Sequence, residues 1–236
     1  MTWISPYPLL HHVLRLVFSE ALWSLSVIAG DRPQVALTFD DGVHPQFTPP
    51  LLEVLAAEGV TANFFLLGQQ VAAYPELTAQ LWQQGHWLGL HGYRHRSFPR
   101  FTATELRLEL IKTQTLLAQV TGQTPQRFMA LRPPNGIMTP RVMTWLKAWG
   151  FRVVMWSVVS EDWRSPGIDT VVRRSLEQVH PGAIIVLHDG MIGGQDVAAI
   201  TAKLIPSLRD RGYDFTSLGL ALPPPRALGG QDSAQG

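Results

Sequence analysis

The sequence predicts an α/β protein, a distorted (β/α) barrel of about seven parallel strands that is similar to a TIM barrel. Three observations favour this fold. Short β-rich runs alternate with helical stretches along the chain, which is typical of parallel strands with helical crossovers. No glycine-rich phosphate-binding fingerprint follows the first strand, which disfavours an open doubly wound sheet. Polar side chains collect directly after the predicted strands, as they do at the C-terminal face of a barrel.

The strands are predicted from runs of β-branched and aromatic residues that end at turn residues. They are Val35–Phe39, Thr61–Leu66, Trp87–Leu90, Arg127–Leu131, Arg152–Trp156, Ala183–Leu187 and Asp214–Thr216. Helices are expected between them. Thr48 and Thr139 each precede a proline, the pattern of a helix cap, and Thr102 with Glu105 fits a capping box. Glycines that suit left-handed helix ends follow the helical stretches at Gly59, Gly85, Gly150 and Gly212.

We expect one domain over residues 31–222, with a further segment at each end of the chain. Residues 1–30 are expected to form an amphipathic extension, since apolar residues recur at helical spacing from residue 10 to residue 22. That helix packs on the domain or contacts a membrane surface; a cleaved export signal ending near "VIAG" is the alternative. Residues 223–236 are rich in Pro, Gly, Gln and Ser and predict a disordered tail.

Composition excludes several classes of function. The formal net charge of +1 gives no electrostatic basis for nucleic acid or an anionic membrane as the main partner. The chain has no cysteine, so disulfides, thiolate metal sites and a cysteine nucleophile are all excluded. Any metal ion must therefore be held by carboxylate oxygen and imidazole nitrogen.

Two histidines in "HGYRH" are the first candidate metal ligands. His91 and His95 are four residues apart, close enough on one helical turn to bind the same ion. Such a pair alone is more often surface polarity. With a carboxylate from another strand end, it makes a three-ligand set with an open position, which is expected of a catalytic ion.

Other strand ends carry further chemistry. "IIVLHDG" places His188 at the end of an apolar strand, where an imidazole can donate or accept a proton near neutral pH. In "SEDW", Asp162 could orient that histidine and Trp163 could line a sugar-sized pocket. "RPPNG" presents the cation of Arg132 on a rigid loop, although such a loop could equally be a structural turn.

The motifs "TFDDG", "HGYRH", "RPPNG", "SEDW" and "VLHD" follow one another along the chain. In that order they resemble the five motifs of the polysaccharide deacetylase family (carbohydrate esterase family 4, the NodB homology domain). The resemblance spans about residues 35–216. It implies a distorted (β/α) barrel, a divalent metal ion and hydrolysis of N-acetyl groups on N-acetylglucosamine polymers. Zinc is the first expectation for the metal, with cobalt, nickel and manganese as alternatives.

The resemblance also implies a role for each motif residue. Asp40 falls on the catalytic base and Arg132 on the arginine that orients it, while His188 falls on the general acid and Asp162 on its carboxylate partner. The metal ligands fall on Asp41, His91 and His95. The residues expected to contact the substrate are Trp163, Val186 and the loop of Pro134, Asn135 and Gly136, which presents backbone amides.

The chain departs from the family pattern at two positions. Gly92 stands where Ser or Thr is usual, and Val159 stands where the fourth motif commonly opens with aspartate. These departures leave open a rival hypothesis, a carbohydrate-binding module without turnover. A hydrolase of a small amide on the same fold is a second rival, which changes only the substrate. The sequence does not select among peptidoglycan, chitin oligomers and exported polysaccharide, and oligomeric state is undetermined. A glycan substrate favours the cell envelope, but no basic start of an export signal precedes the first apolar stretch.

Overall fold

A computed structural model describes residues 14–27 and 32–222. The predicted disordered tail, and the part of the N-terminal extension that precedes residue 14 or spans residues 28–31, lie outside the described residues. Within the described ranges, no helix is long and apolar enough to cross a membrane.

The described chain alternates strands and helices. The strands are β1 (Gln34–Asp40), β2 (Asn63–Leu66), β3 (Trp87–Leu90), β4 (Ala130–Leu131), β5 (Arg152–Val153), β6 (Val158–Val159), β7 (Ile184–His188) and β8 (Asp214–Phe215). The α-helices are α1 (Thr48–Ala57), α2 (Gly68–Ala73), α3 (Pro75–Gln83), α4 (Ala103–Thr121), α5 (Pro140–Ala148), α6 (Ile168–Gln178), α7 (Val197–Asp210) and α8 (Leu218–Ala221). Single 3₁₀ turns lie at Phe98–Arg100, Pro125–Arg127, Pro134–Gly136, Asp162–Arg164 and Gly194–Asp196.

The sheet is parallel and curled into a partial barrel, which confirms the predicted fold class. Its order is β5-β4-β3-β2-β1-β7-β6, and β8 pairs separately with the start of β1. One strand was not predicted: β6 has only two residues, too few to show a periodic pattern. The predicted strand Arg127–Leu131 was too long, because Pro125–Arg127 forms a 3₁₀ turn and only Ala130–Leu131 pairs.

Side-chain alternation in β1 sets the two faces of the sheet. Val35, Leu37 and Phe39 are buried in the larger hydrophobic cluster. Ala36 belongs instead to the smaller cluster, which contains Phe65 and Ile184 and lies on the other face. The side chains of Thr38 and Asp40 share the face of Ala36. The sheet therefore directs Asp40 toward the barrel interior.

The predicted helix ends mostly agree with the structure. Thr139 caps α5 by accepting a hydrogen bond from the Val142 N–H, and Thr102 forms the capping box with Glu105. The four expected glycines, Gly59, Gly85, Gly150 and Gly212, have φ between 61° and 85°. The predicted cap at Thr48 is wrong: its hydroxyl accepts from the His44 N–H and donates to Asp189, so it bonds across the fold.

The described part of the N-terminal segment completes the barrel. Helical backbone covers residues 14–17, a turn follows, and Phe18, Ala21 and Trp23 are buried in the larger hydrophobic cluster. Leu22 bonds with Val153 and Met155 at the edge of β5, and the Leu25 N–H donates to Gly182 before β7. Residues 22–25 therefore cross the gap between the two edges of the curled sheet.

Candidate metal and active site

Strand register brings the polar motifs together at one end of the barrel. Asp40 in β1 lies beside His188 in β7. The Arg132 N–H donates to the Leu90 carbonyl at the end of β3, directly before His91. Because all these strands run parallel, the residues that end them share one rim. Residues that are distant in sequence are neighbours there for that reason.

Asp40 and Arg132 form a fully buried ion pair. Asp40 is 2% exposed and Arg132 is 0% exposed. The Arg132 Nη1 donates to Asp40 Oδ1 at 2.7 Å and to Thr38 Oγ1 at 2.8 Å. The Arg132 Nη2 donates to the Met155 carbonyl at 2.8 Å, and the guanidinium carbon lies 4.1 Å from the Phe65 ring centroid. These contacts hold the guanidinium, and the guanidinium in turn holds one oxygen of Asp40.

Asp41 turns away from the strand direction. Its φ is 74°, in the left-handed region that aspartate tolerates better than most residues. This turn explains how two adjacent aspartates reach the same rim although neighbouring strand residues face opposite ways. Gly42 follows directly beneath the rim, where a Cβ would stand 2.4 Å from the carboxylate oxygens of Asp189. Only glycine allows this close approach.

Asp41, His91 and His95 form a cluster that fits a metal ion. One candidate ligand atom from each residue lies within 4.8 Å of the others. His91 Nε2 is 3.3 Å and His95 Nε2 is 3.4 Å from Asp41 Oδ1. His91 Nδ1 is 2.8 Å from the Arg132 carbonyl, which favours a proton on Nδ1 and a lone pair on Nε2. Asp41 Oδ1 is buried and accepts no hydrogen bond, so converging lone pairs leave room for a cation.

The charge state of Asp41 suits this role. Burial acts to raise the pKa of Asp41, but the nearby imidazole of His91 outweighs it, with smaller contributions from His188 and His95. The net effect holds the pKa of Asp41 well below its ordinary value. The carboxylate is therefore ionised at neutral pH, as metal ligation requires.

His188 is held by Asp162. The carboxylate accepts from the His188 backbone N–H at 2.7 Å and lies 2.9 Å from Nδ1. Burial acts to lower the pKa of His188, but the Asp162 charge and hydrogen bond outweigh it and raise the pKa to about 10. The imidazole therefore remains protonated at neutral pH, and Nδ1 donates to Asp162. Trp163 packs edge-on against the imidazole, with ring centroids 5.3 Å apart.

A cavity of about 370 Å³ opens above this cluster. Asp40, the three candidate metal ligands and His188 all line it, together with the expected substrate residues Trp163, Val186 and Asn135. Pro134 is buried beside Asn135 without lining the cavity, and Gly136 packs against the Trp156 ring. Arg132 and Asp162 lie behind the lining, where they bond to Asp40 and His188.

Several lining residues were missed at the sequence level. They are Leu67, Gln69, Gln70, Trp156, Met191 and Ile192. The strand-end rule could have found the first three, since they follow β2 at the same rim. Met191 and Ile192 follow the histidine motif and are 72% and 65% exposed. Their position directly after the end of β7 was the signal in the sequence, because the same rule applies to that strand end.

The structure gives the surroundings of both departures from the family pattern. Gly92 has a φ of 80°, a conformation that side chains rarely adopt, and a Cβ would stand 3.3 Å from the Arg94 carbonyl. The Thr113 hydroxyl and the Gly68 N–H both donate to the Gly92 carbonyl and hold the loop. Val159 is buried in β6, and Gln178 bonds both its N–H and its carbonyl. Neither position removes a group from the cavity.

Comparisons with known proteins agree with the motifs. The family model described as polysaccharide deacetylase matches residues 28–154. A peptidoglycan-N-acetylglucosamine deacetylase of Bacillus cereus is 34% identical over 190 residues, which cover 80% of this chain and 68% of the relative. A chitooligosaccharide deacetylase of Sinorhizobium fredii is 36% identical over 197 residues, covering 79% and 90%.

A solved structure extends the likeness to three dimensions. The Bc1960 peptidoglycan N-acetylglucosamine deacetylase, in complex with 4-naphthalen-1-yl-N-oxidanyl-benzamide, superposes with a TM-score of 0.80 at 30% identity. The superposition covers 88% of this chain and 95% of that one. The family model spans more than half of the chain, and relatives of at least 30% identity are matched over most of their length. The chain therefore belongs to the polysaccharide deacetylase family.

Proposed function

We propose that the protein hydrolyses N-acetyl groups from N-acetylglucosamine units of a glycan, releasing acetate and a free amine. One observation carries this proposal: a base, an acid and a three-ligand metal cluster line a single cavity. Family membership makes the protein a polysaccharide N-deacetylase, a hydrolase of carbon–nitrogen bonds. Peptidoglycan and chitin oligomers are the leading substrates, because two relatives carry those names, and an exported polysaccharide is a further candidate.

The deacetylases of this family are metal-dependent, and Asp41, His91 and His95 would hold the ion here. One carboxylate with two imidazoles suits zinc first, with cobalt, nickel and manganese as alternatives. When bound, such an ion polarises a carbonyl and acidifies water at its open position. The Arg132 carbonyl orients His91 for this role through Nδ1, so the loop after β4 supports the metal ligands as well as Asp40.

Asp40 is proposed to take a proton from the attacking water. Its Oδ1 is held by Arg132, which leaves Oδ2 to accept that proton. The buried guanidinium fixes the orientation of the carboxylate relative to the neighbouring Asp41. Asp40 and Asp41 therefore have different tasks although they are adjacent: one binds the ion and the other accepts the proton.

His188 is proposed to donate a proton to the departing amine. Its Nδ1 is bonded to Asp162, so Nε2 is the nitrogen that can release a proton into the cavity. Trp163 and Val186 line the cavity and are proposed to pack against the acetyl group. The backbone N–H of Asn135 is proposed to stabilise the developing oxyanion, since the Gly136 N–H donates to the Pro133 carbonyl.

The shape of the cavity supports a glycan over a small amide. Met191 and Ile192 line it and are largely exposed, so this side opens to solvent rather than enclosing a small molecule. A module that only bound carbohydrate would not require the paired base and acid. Both features favour hydrolysis of a polymeric or oligomeric substrate.

An acetate-release assay tests the proposal. The metal is removed with a chelator, and acetate is then measured on peptidoglycan, N-acetylglucosamine oligomers of several lengths and small amides, before and after adding zinc, cobalt, nickel or manganese. We expect metal-restored acetate release from at least one glycan and little from small amides. Turnover of small amides alone would support the rival hydrolase, and glycan binding without acetate release would support the binding module.

We also propose that residues 10–22 contact a membrane surface. Leu16 and Val17, on the described part of this segment, are 72% and 59% exposed, while Phe18 on the next turn is buried against the domain. Exposed leucine and valine beside an anchored segment suit the interface of a bilayer. Sedimentation with phosphatidylglycerol vesicles tests this: Leu16→Ser with Val17→Ser should reduce the bound fraction, and equal binding would contradict it.

A further inference from the structure

A second cavity lies at the opposite end of the barrel from the catalytic residues. It measures about 380 Å³, and the residues that line it include Trp82, His86, Trp87, Arg127, Gly219 and Leu220. Trp87 is the first residue of β3, whereas the metal ligand His91 follows its last residue. The two cavities therefore lie at opposite ends of the same strand, and no residue assigned to the reaction lines this one.

His86 supplies a buried hydrogen-bond donor to this cavity. The side chain is 4% exposed, and its Nδ1 accepts from the Ala62 N–H at 3.1 Å. Burial lowers the pKa of His86 to about 4, so the ring is neutral at pH 7. Because Nδ1 accepts, the single ring proton must reside on Nε2. Within residues 14–27 and 32–222 the hydrogen bond found for the ring is the one at Nδ1, so Nε2 can donate to a ligand.

Two tryptophans and an arginine surround this donor. Trp82 is partly exposed, and the guanidinium of the exposed Arg127 lies 5.8 Å from its ring centroid. Trp87 forms a more deeply buried wall. Gly219 lies against its edge, and a Cβ there would stand 2.9 Å from Trp87 Cδ1. Glycine at this position keeps the short helix α8 close to the indole without a side chain filling the space between them.

We propose that this second cavity binds a sugar unit of the N-acetylated glycan. The apolar face of a pyranose ring matches an indole wall, and its hydroxyl and acetamide oxygens accept hydrogen bonds from ring N–H and guanidinium donors. The choice of a glycan rests on the proposed function. A glycan polymer extends beyond one catalytic cavity, and a second point of attachment raises its effective concentration at the enzyme.

Binding is measured directly, without turnover. The Asp40→Asn protein is incubated with insoluble chitin, and its bound fraction is measured. The same measurement is made on double variants that carry Trp82→Leu, Arg127→Ala or His86→Asn as a second substitution. Leucine keeps an apolar contact with Phe128, and the asparagine oxygen can replace Nδ1 as the acceptor for Ala62. We expect the dissociation constant for chitin to rise about threefold or more for each variant, as loss of one stacking, cation–π or hydrogen-bond contact implies.

Arg141→Ala is the matched control. Arg141 is also exposed, and its guanidinium lies 5.1 Å from the ring centroid of Trp145 on α5. This control should bind chitin as the parent does. Unchanged binding in Trp82→Leu and Arg127→Ala would overturn the inference, and so would an equal loss in Arg141→Ala. A higher sedimentation coefficient for the parent than for Trp82→Leu, both measured without glycan, would also overturn the inference. It would identify a second copy of the chain as the occupant of the cavity.

Activity separates this inference from the proposed function. In the protein with Asp40 intact, Trp82→Leu should raise the KM for long glycans while leaving kcat/KM for short N-acetylglucosamine oligomers within about twofold of the parent. If the parent releases no acetate from any glycan while Trp82→Leu still weakens chitin binding, the proposed function fails and the second cavity stands. Acetate release with identical KM values in both proteins would leave the proposed function standing and refute the second cavity.

Discussion

Replacing Asp162 by asparagine should move the alkaline limit of activity to lower pH. Asp162 accepts from the His188 backbone N–H and lies 2.9 Å from Nδ1. An asparagine oxygen can still accept from the backbone N–H, which turns its NH₂ group toward Nδ1. Nδ1 must then be deprotonated in order to accept, so the substitution favours the neutral imidazole. The charge that holds the pKa of His188 at about 10 is lost in the same step.

The magnitude follows from the protonated fraction of the acid. With a pKa of about 10, about 97% of His188 is protonated at pH 8.5, and with the ordinary value of about 6.5 only about 1% is. The kcat of Asp162→Asn at pH 8.5 should therefore fall about 100-fold relative to the parent, whereas the titration accounts for less than a twofold loss at pH 6. Both figures assume the ordinary pKa of about 6.5 in the variant; burial without a partner would lower the pKa of His188 further, so the losses at pH 8.5 and at pH 6 are both lower limits.

The assay is the pH dependence of kcat for acetate release, from pH 5.5 to pH 9.5, with metal content measured on each protein. Asp169→Asn is the control: that carboxylate is exposed and pairs with Lys203 on the surface, so its profile should match the parent. Thermal melting verifies that Asp162→Asn is folded. If the folded, metal-loaded variant retains the parent's alkaline limb, His188 is not the proton donor and its assigned role is wrong.

Four further predictions follow from the geometry. Asp40→Asn should lower kcat by about 10²–10⁴ with metal content unchanged; an active variant would contradict the assignment of the base. His91→Ala should reduce bound metal in elemental analysis, and full metal occupancy would exclude it as a ligand. Gly42→Ala should lower the melting temperature, at a cost of about 1–3 kcal/mol, because its Cβ meets the Asp189 carboxylate 2.4 Å away. The loss of free energy of unfolding as pH drops from about 6.5 toward 4 should be larger in the parent than in His86→Asn, because the unfolded chain protonates His86 before the folded chain does. The variant is needed for comparison because burial raises the pKa of Asp189 to about 7 and acts in the opposite direction in both proteins; parallel profiles would contradict the buried neutral state of His86.

Much of the fold was predictable because its signals are local. Alternating strands and helices, helix caps such as the Thr102–Glu105 box, and glycines at left-handed positions all act within a few residues. The two-residue strands were harder. β6 is too short to show a periodic pattern, and the predicted strand that includes β4 was too long. Such short strands form because adjacent strands of the sheet hydrogen-bond to them, and their own sequence does not predict this.

Thr48 shows why a local rule can fail. Before a proline, its hydroxyl suits a helix cap, yet it donates to Asp189, which lies 141 residues away in sequence. Asp189 is buried and needs a hydrogen-bond donor, whereas a backbone N–H at the start of a helix can bond to water. The hydroxyl of Thr48 therefore stabilises the fold more by donating to Asp189 than by capping α1. Sequence reasoning assigned no role to Asp189, because nothing near it in sequence shows that it packs beneath Gly42.

The sequence by itself determined which chemical groups are present and at which strand ends they lie. The strand-end placement of Asp40, Asp41, His91 and His188 follows from apolar runs that stop at those residues. Only the tertiary structure decided how they meet. The β1–β7 register sets Asp40 beside His188, the left-handed turn at Asp41 redirects its carboxylate, and burial with Asp162 determines the protonation of His188. These properties depend on contacts between strands that are distant in sequence and on the exclusion of water, and neither is encoded in any short stretch of residues.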